Sequence, residues 1–104
     1  MSKPVDPTCK AYQKAIDVLG RPWTGLILAL LQDRALRFGE LSAEARGVGP
    51  KMLATRLKQL EARGIVGRRV VEGPPVRVAY ELTQKGRAFR HVAAALERWG
   101  RELV

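Results

Sequence analysis

Apolar residues recur at intervals of three and four along most of the chain, which is the spacing of helices that bury one face. This spacing predicts four helices before residue 65. The first follows a helix-start signal at Asp6-Pro7-Thr8, and the others cover about residues 23–32, 38–45 and 50–63. Because the helix over 23–32 is apolar almost all round, we expect it to be the buried central element.

Two strands are predicted next, over residues 66–71 and 76–82, and apolar and polar residues alternate along the second. The turn-forming residues Gly73-Pro74-Pro75 lie between them, so the two strands should form a hairpin. Helical spacing resumes after Thr83, which can cap a last helix over about residues 84–103. The predicted fold class is therefore mainly α with a small β-hairpin.

The composition fits one globular domain and adds a strong positive charge. A chain of 104 residues, 46% of them hydrophobic, can form a single core, so we expect one domain over residues 1–104. Nineteen lysines and arginines against ten acidic residues give a net charge of +9. Most of the excess lies in residues 51–104, with twelve basic and five acidic residues. An anionic polymer is the usual partner of such a protein, although a soluble protein can also be basic without one.

The sequence indicates neither secretion nor a membrane. The first residues are polar and include Pro4 and Pro7, and the longest apolar run, Leu26 to Leu31, is far shorter than the ~20 residues of a membrane span. One cysteine cannot form an intrachain disulfide, which is consistent with a reducing compartment. We therefore expect a cytoplasmic protein.

No pattern indicates an enzyme, because the sequence shows no nucleophile–base pair, phosphate-binding glycine loop or paired carboxylate motif. His91 is the single histidine, and a metal site would have to draw on Cys9 or distant carboxylates. We expect no catalytic residue, metal or cofactor, and His91 to be an ordinary surface residue.

The predicted helix over residues 50–63 has a polar face opposite its leucine stripe. Four residues on or beside this face are candidates for contact with bases and phosphates: Lys51, Thr55, Lys58 and Gln59. Lys51 and Thr55 lie near the helix start and should reach deepest into a groove. For this helix alone, an ordinary solvated face is the alternative. Arg56 lies nearer the leucine stripe, so we assign it to packing or a flanking contact.

Arginines outside that helix favour the DNA interpretation. Three arginines lie close to the hairpin turn in the sequence: Arg68, Arg69 and Arg77. Guanidinium groups there can bind phosphates or enter a narrow minor groove. Arg21 and Arg37 precede the second and third helices, and each can hold a phosphate beside helix N–H groups or simply be solvated. A basic helix followed by a basic hairpin is the order of a winged helix-turn-helix, so we expect double-stranded DNA as a partner.

Several separated motifs resemble a known family. They are WTGLILALL at 23–31, RFGEL at 37–41, KMLATRLKQLEARGIVGR at 51–68, PPVRVAYELTQKG at 74–86 and Trp99-Gly100. In this order they resemble the HxlR-type bacterial transcriptional regulators, a winged helix-turn-helix family related in architecture to MarR proteins. The resemblance covers about residues 9–100. It implies a homodimer formed by the first and last helices, with two recognition helices in successive major grooves of a near-palindromic operator.

Two positions depart from the family pattern. The basic residue that often directly precedes the tryptophan at Trp23 is displaced by one place in Gly20-Arg21-Pro22. Gly49 stands where a serine-like helix cap is frequent, and glycine forgoes the side-chain bond of such a cap. These departures concern one phosphate contact rather than the fold.

The terminal helices offer more apolar surface than a core of this size should absorb. The residues expected at the two-fold contact of a homodimer are Tyr12, Ile16, Leu96, Trp99 and Leu103.

Cys9 is the candidate regulatory residue. It stands just before the first helix and beside Lys10, and both the helix dipole and the ammonium should favour its thiolate. The resemblance implies that this is a sensing position for oxidants or electrophiles such as quinones. An unreactive cysteine is the alternative. With one cysteine, any disulfide must be intermolecular or involve a small thiol.

The sequence thus predicts a dimeric, sequence-specific transcriptional regulator, controlled at Cys9 or by a small-molecule inducer. The alternatives are a non-specific architectural DNA-binding protein, a ligand-responsive regulator without a redox switch, and a protein-interaction module that has lost DNA binding. A preference of ~10³ or more for one site over random duplex separates a regulator from an architectural protein.

Overall fold

The computed structural model describes residues 5–104, so that Pro4, one of the residues that argue against a signal peptide, lies outside the described residues. The elements in chain order are α1 (Lys10–Leu19), α2 (Thr24–Leu30), β1 (Leu36–Arg37), α3 (Phe38–Glu44), α4 (Pro50–Ala62), β2 (Val66–Val71), β3 (Arg77–Leu82), α5 (Gln84–Arg87) and α6 (Phe89–Arg101). The mainly helical fold class with a small hairpin is confirmed.

Two elements differ from the prediction. The hairpin has a third strand, because β1 pairs antiparallel with β3, and the sheet order is β1-β3-β2. A strand of two residues is too short to show an alternating pattern, so the sequence did not reveal it. The last helix is divided at Ala88, whose dihedral angles (φ −62°, ψ −19°) remain helical. The backbone therefore stays in the helical region across the division.

The core lies between α2, α3, α4 and the sheet. It contains Ile27, Leu28, Leu31, Leu36, Leu41, Ala45, Val48, Leu53, Leu57, Leu60, Val66 and Leu82. Burial of each leucine or isoleucine stabilises the fold by about 1.5–3 kcal/mol. As predicted, α2 supplies the centre of this core through Ile27 and Leu28. The helix is not buried on all sides, however, because Leu26 is 37% exposed.

Two glycines and a threonine fix how the hairpin joins the helices. Gly64 ends α4 in the left-handed conformation, with φ of 72°. Thr83 caps α5 as predicted, since its hydroxyl accepts the Gly86 N–H at 3.4 Å, and it donates to the Gly64 carbonyl at 2.6 Å. A Cβ at Gly86 would collide with the carbonyl oxygen of Ile65 and the side chain of Leu82. The hairpin is therefore pressed against the start of α5.

The terminal helices contribute no fully buried side chain to the fold. The described residues extend over 56 × 29 × 23 Å, and their radius of gyration is 15.2 Å, compared with about 13 Å for a compact chain of this length. The shape is therefore elongated, with two helices that keep an apolar side in solvent. Within residues 5–104, no helix combines the length and the hydropathy that crossing a membrane requires.

Candidate nucleic-acid interface

The polar face of α4 is open to solvent. The helix begins after Gly49, which has an extended backbone and provides no side-chain cap. Lys51, Thr55 and Lys58 are exposed, and neither lysine forms an ion pair with any of residues 5–104. The Thr55 hydroxyl donates to the Lys51 carbonyl at 2.9 Å. Its proton is thereby used inside the helix, while its lone pairs and methyl group remain available to a base.

Gln59 does not share this face. It is half-buried, and its amide oxygen accepts a hydrogen bond from Nη1 of Arg56 at 3.0 Å. Arg56 is 8% exposed and donates from Nε to the Pro22 carbonyl at 2.8 Å. That bond anchors the turn before α2, where Trp23 has the left-handed φ of 73° that non-glycine residues rarely adopt. Arg56 therefore packs α4 against this turn, in line with the packing role expected of it. Gln59 accepts a hydrogen bond from Arg56 instead of facing solvent beside the two lysines.

The sheet brings several arginines onto one face. In the β1-β3-β2 register, Arg37 and Arg69 both lie opposite Ala79. Arg77 precedes Ala79 by two residues and shares its face, because side chains alternate along a strand. Arg34, which the sequence patterns did not identify, lines the same shallow recess from the turn before β1. We call these four residues, Arg34, Arg37, Arg69 and Arg77, the sheet arginines.

Carboxylates neutralise part of this charge. Glu40 accepts the Arg37 N–H at 2.8 Å, which caps α3 and lowers the pKa of the Glu40 carboxyl. The same carboxylate lies 3.5 Å from the Arg37 guanidinium and 3.8 Å from that of Arg34. An acidic group thus already occupies the helix start at which Arg37 was expected to hold a phosphate. Among the sheet arginines, Arg77 alone has no ion pair with any of residues 5–104.

Arg68 lies on the opposite face of the hairpin from Arg69 and Arg77. It pairs with Glu61 of α4 at 2.8 Å, and its guanidinium sits 5.8 Å from the centre of the Tyr80 ring. The hydrogen bond with Glu61 raises the pKa of Arg68. This side chain therefore links the β2–β3 hairpin, which we call the wing, to the end of α4. The three arginines predicted around the hairpin turn, Arg68, Arg69 and Arg77, do not form one cluster.

Arg21 is also separate from the sheet arginines. It lines a recess between α1, α2 and α4 together with Arg56 and Arg63. The structure thus places the predicted phosphate-binding arginines in three locations: the outer sheet face, the junction between α4 and the wing, and this recess.

Cys9 occupies the N-cap position of α1 and is exposed. Its side chain makes no capping hydrogen bond, but the backbone N–H groups of Tyr12 and Ala11 lower the pKa of the thiol. The neighbouring Lys10 is not among the causes of this shift. The helix start therefore favours the thiolate as expected, through backbone N–H groups rather than through the ammonium.

The five residues predicted at a dimer contact are all exposed. The exposed fractions are 41% for Tyr12, 52% for Ile16, 41% for Leu96, 61% for Trp99 and 65% for Leu103. Val92, which is 43% exposed, extends the apolar side of α6.

Comparison with known proteins defines the class. Residues 18–104 match the HxlR-like helix-turn-helix family. The chain is 35% identical to the HTH-type transcriptional regulator YvaP of Bacillus subtilis over 96 residues, which cover 92% of this chain and 89% of YvaP. It is 41% identical to the HTH-type transcriptional regulator YodB of the same organism over 91 residues, or 88% of this chain and 81% of YodB. The chain belongs to the HxlR-like helix-turn-helix family of DNA-binding transcriptional regulators, which are not enzymes.

Solved structures of relatives have the same winged helix-turn-helix fold, which confirms the predicted architecture. The reduced form of YodB matches with a TM-score of 0.81 and 40% identity, covering 88% of this chain and 90% of that one. Quinone-bound YodB matches with a TM-score of 0.79 and 37% identity, over 91% and 99% of the two chains. The redox regulator HypR in its oxidized form matches with a TM-score of 0.80 and 32% identity, over 90% and 96%.

Proposed function

We propose that this regulator binds a near-palindromic operator as a homodimer, with α4 in the major groove and the sheet arginines on the flanking backbone. The observation that carries the proposal is the exposed face of Lys51, Thr55 and Lys58, which has no ion pair within residues 5–104. A free cationic face on a helix can release counterions from DNA and reach base edges at the same time. Membership of a DNA-binding family supports this partner.

The apolar sides of α1 and α6 support the homodimer. These helices keep large apolar side chains in solvent although each has a well-defined polar side. An apolar stripe that the monomer leaves uncovered is typical of an interface between identical subunits. A palindromic site requires both copies of α4 on the same side of DNA, and we propose a two-fold axis at the terminal helices as the arrangement that meets this requirement.

Selection of bound fragments from genomic DNA, followed by competition against random duplex, tests the DNA proposal. We expect one inverted-repeat site, bound ~10³-fold or more tightly than random duplex. Its half-sites should be centred about 34 Å apart, one turn of DNA. Lys51→Ala should weaken the preference for the consensus site, whereas the matched control Arg90→Ala, which removes a positive charge from α6, should retain it. Equal affinity for every duplex would instead identify an architectural protein.

We further propose that Cys9 controls this binding. The support is its exposure, the lowered pKa of its thiol and the similarity of the whole fold to quinone-bound YodB and to oxidized HypR. The Cys9 thiolate can add to a quinone, forming an S–C bond and, after proton transfer, a hydroquinone adduct. Alternatively, two Cys9 thiols from two subunits can form a disulfide, passing two electrons and two protons to an oxidant such as diamide.

The test compares wild type with Cys9→Ser before and after treatment with quinone or diamide. We expect the wild-type operator affinity to change at least about tenfold, and reducing thiol to restore it only after diamide. Cys9→Ser should bind the untreated operator normally and not respond. If the wild type does not respond, or if Cys9→Ser responds equally, a non-covalent inducer is the better explanation.

A further inference from the structure

A small recess lies where α1, α2 and α4 meet, away from the exposed face of α4. Its volume is about 70 Å³, and Arg21, Thr24, Arg56, Gln59 and Arg63 provide its polar lining. Three of its lining residues are arginines and none is acidic. Nothing in the DNA-binding proposal uses this accumulation of positive charge.

Arg56 makes the recess unusual, because it is a buried charge without a counter-charge. It is 8% exposed and donates to two neutral acceptors, the Pro22 carbonyl and the Gln59 amide oxygen. It forms no ion pair with any carboxylate in residues 5–104. Buried charges in proteins are ordinarily paired, since removal of an ion from water is costly.

One nitrogen of Arg56 remains available for a ligand. Its Nη2 atom has no hydrogen-bond partner within the described part of the chain. No polar side-chain atom there is both fully enclosed and unpartnered, so Nη2 keeps some contact with solvent, and the recess is the cavity that Arg56 lines. Gln59 adds a second donor, because its oxygen is engaged by Arg56 and its NH₂ group is left over.

Arg21 and Arg63 also line the recess. Arg21 is exposed at the rim and has no ion pair within residues 5–104. Arg63 pairs with Asp17 of α1 at 2.8 Å, which neutralises that carboxylate beside the recess. The recess therefore keeps a net positive charge.

We propose that this recess binds a phosphate-type oxyanion. Its volume is far below the ~300–1,000 Å³ of sites for drug-sized ligands, but it can hold a group the size of a few waters. Guanidinium and amide N–H groups are the donors that such an anion prefers. The anion is either a free ion or a phosphate of the DNA backbone. Because the recess joins α1 to α4, its occupation would link the proposed dimer helix to the recognition helix.

Titration of the ¹⁵N-labelled protein with inorganic phosphate, at constant ionic strength held with chloride, tests the site without DNA. We expect saturable NMR shifts of the Arg56 Nε–H and the Gln59 NH₂ groups. Arg21→Gln should weaken phosphate binding at least about tenfold, the effect of losing one charged hydrogen bond. The control Arg90→Gln removes an equal charge from α6 and should bind phosphate as the wild type does.

Arg56→Gln should abolish the saturable response, and its amide spectrum reports whether the fold survives. If it does not fold, Arg21→Gln decides, because the Arg21 side chain is exposed and its replacement should leave the core in place. Shifts that grow linearly with phosphate, or that Arg21→Gln and Arg90→Gln weaken equally, would overturn the proposal.

A second titration, with a random DNA duplex, distinguishes the two sources of the anion. If a backbone phosphate enters the recess, duplex should shift the same Arg56 and Gln59 signals and free phosphate should no longer bind. If the site takes a free ion, phosphate should still saturate it in the DNA complex. Both outcomes require an oxyanion site in this recess. The phosphate titration tests that site independently of the operator proposal, because it contains no DNA.

Discussion

Thr55 lies one turn beyond the start of α4, and its hydroxyl proton is already given to the Lys51 carbonyl. It can therefore accept a hydrogen bond from a base or touch a thymine methyl group, whereas Lys51 can donate to guanine or a phosphate. We predict that Thr55→Ala or Lys51→Ala costs about 1–3 kcal/mol at the preferred operator and relaxes the base preference there. Binding curves on operators with single-base changes measure this. An unchanged base preference would remove α4 from the role of reading element.

At Cys9 the prediction concerns pH. The N–H groups at the start of α1 stabilise the thiolate, so the native thiol should lose its proton at a lower pH than an ordinary thiol. Any stability that this provides is full above the unfolded-state pKa and is lost as the pH falls through the folded-state pKa. The rate of alkylation by iodoacetamide should therefore rise at a lower pH in the native protein than in urea. Lys10→Gln should leave the pH profile of the native protein unchanged, because the backbone causes the shift. If the native wild type and the protein in urea gave the same profile, the prediction would be contradicted.

At the scale of the elements, the sheet places Arg68 on one face and Arg69 and Arg77 on the other. We therefore expect their substitutions to weaken DNA binding unequally. Arg77 has no ion pair within residues 5–104, whereas Arg68 is held by Glu61 and Tyr80. We predict that Arg77→Ala makes the negative slope of log affinity against log salt shallower by about one unit on any duplex. Arg68→Ala should change that slope less. Salt titrations of the two variants on one random duplex provide the comparison, and equal slopes would contradict the division by face.

The contact between α5 and the hairpin leaves no room for a side chain at Gly86. Gly86→Ala must push apart the Ile65 carbonyl and the Leu82 side chain, and we predict a loss of about 1–3 kcal/mol in the free energy of unfolding. Gly39→Ala is the matched control, since a Cβ there meets no atom within 4 Å. Urea denaturation measures both. A Gly86→Ala protein as stable as the Gly39→Ala protein would show that the wing can shift without cost.

How far the sequence predicted these elements depended on the length of their patterns. The helices and the long strands were found because each repeats its apolar spacing several times. β1 could not be found, since its two residues become a strand only by pairing with β3. The same distinction applies to the site. The outward positions of Lys51, Thr55 and Lys58 follow from helical periodicity, but the bond from Arg56 to Gln59 and the grouping of Arg34 with Arg77 depend on side-chain placement.

For the molecule as a whole, the elongated shape and the uncovered sides of α1 and α6 belong together. These two helices fully bury no side chain, and Val18 and Phe89 are their partly buried contacts with the core, so most of their apolar surface stays uncovered in the monomer. In a two-fold pair the same helices would form a shared core. In this arrangement, a chemical change at Cys9, at the start of α1, would alter the distance between the two copies of α4.

The homodimer can be tested by placing a charge on the apolar stripe of α6. Trp99 is 61% exposed, so Trp99→Glu should leave the monomer fold intact while burying an unpaired carboxylate in any dimer. We predict that light scattering gives the mass of one chain for this variant and of two chains for the wild type at micromolar concentration. Ala94→Glu adds the same charge on the opposite side of α6 and should remain dimeric. Two linked recognition helices bind about 10²–10⁴-fold more tightly than one, because the second binds at a high effective concentration. Loss of the dimer should therefore lower the affinity for the full operator, while binding to a single half-site persists. A wild-type protein of single-chain mass, or a Trp99→Glu protein that stays dimeric, would place the interface elsewhere or remove it.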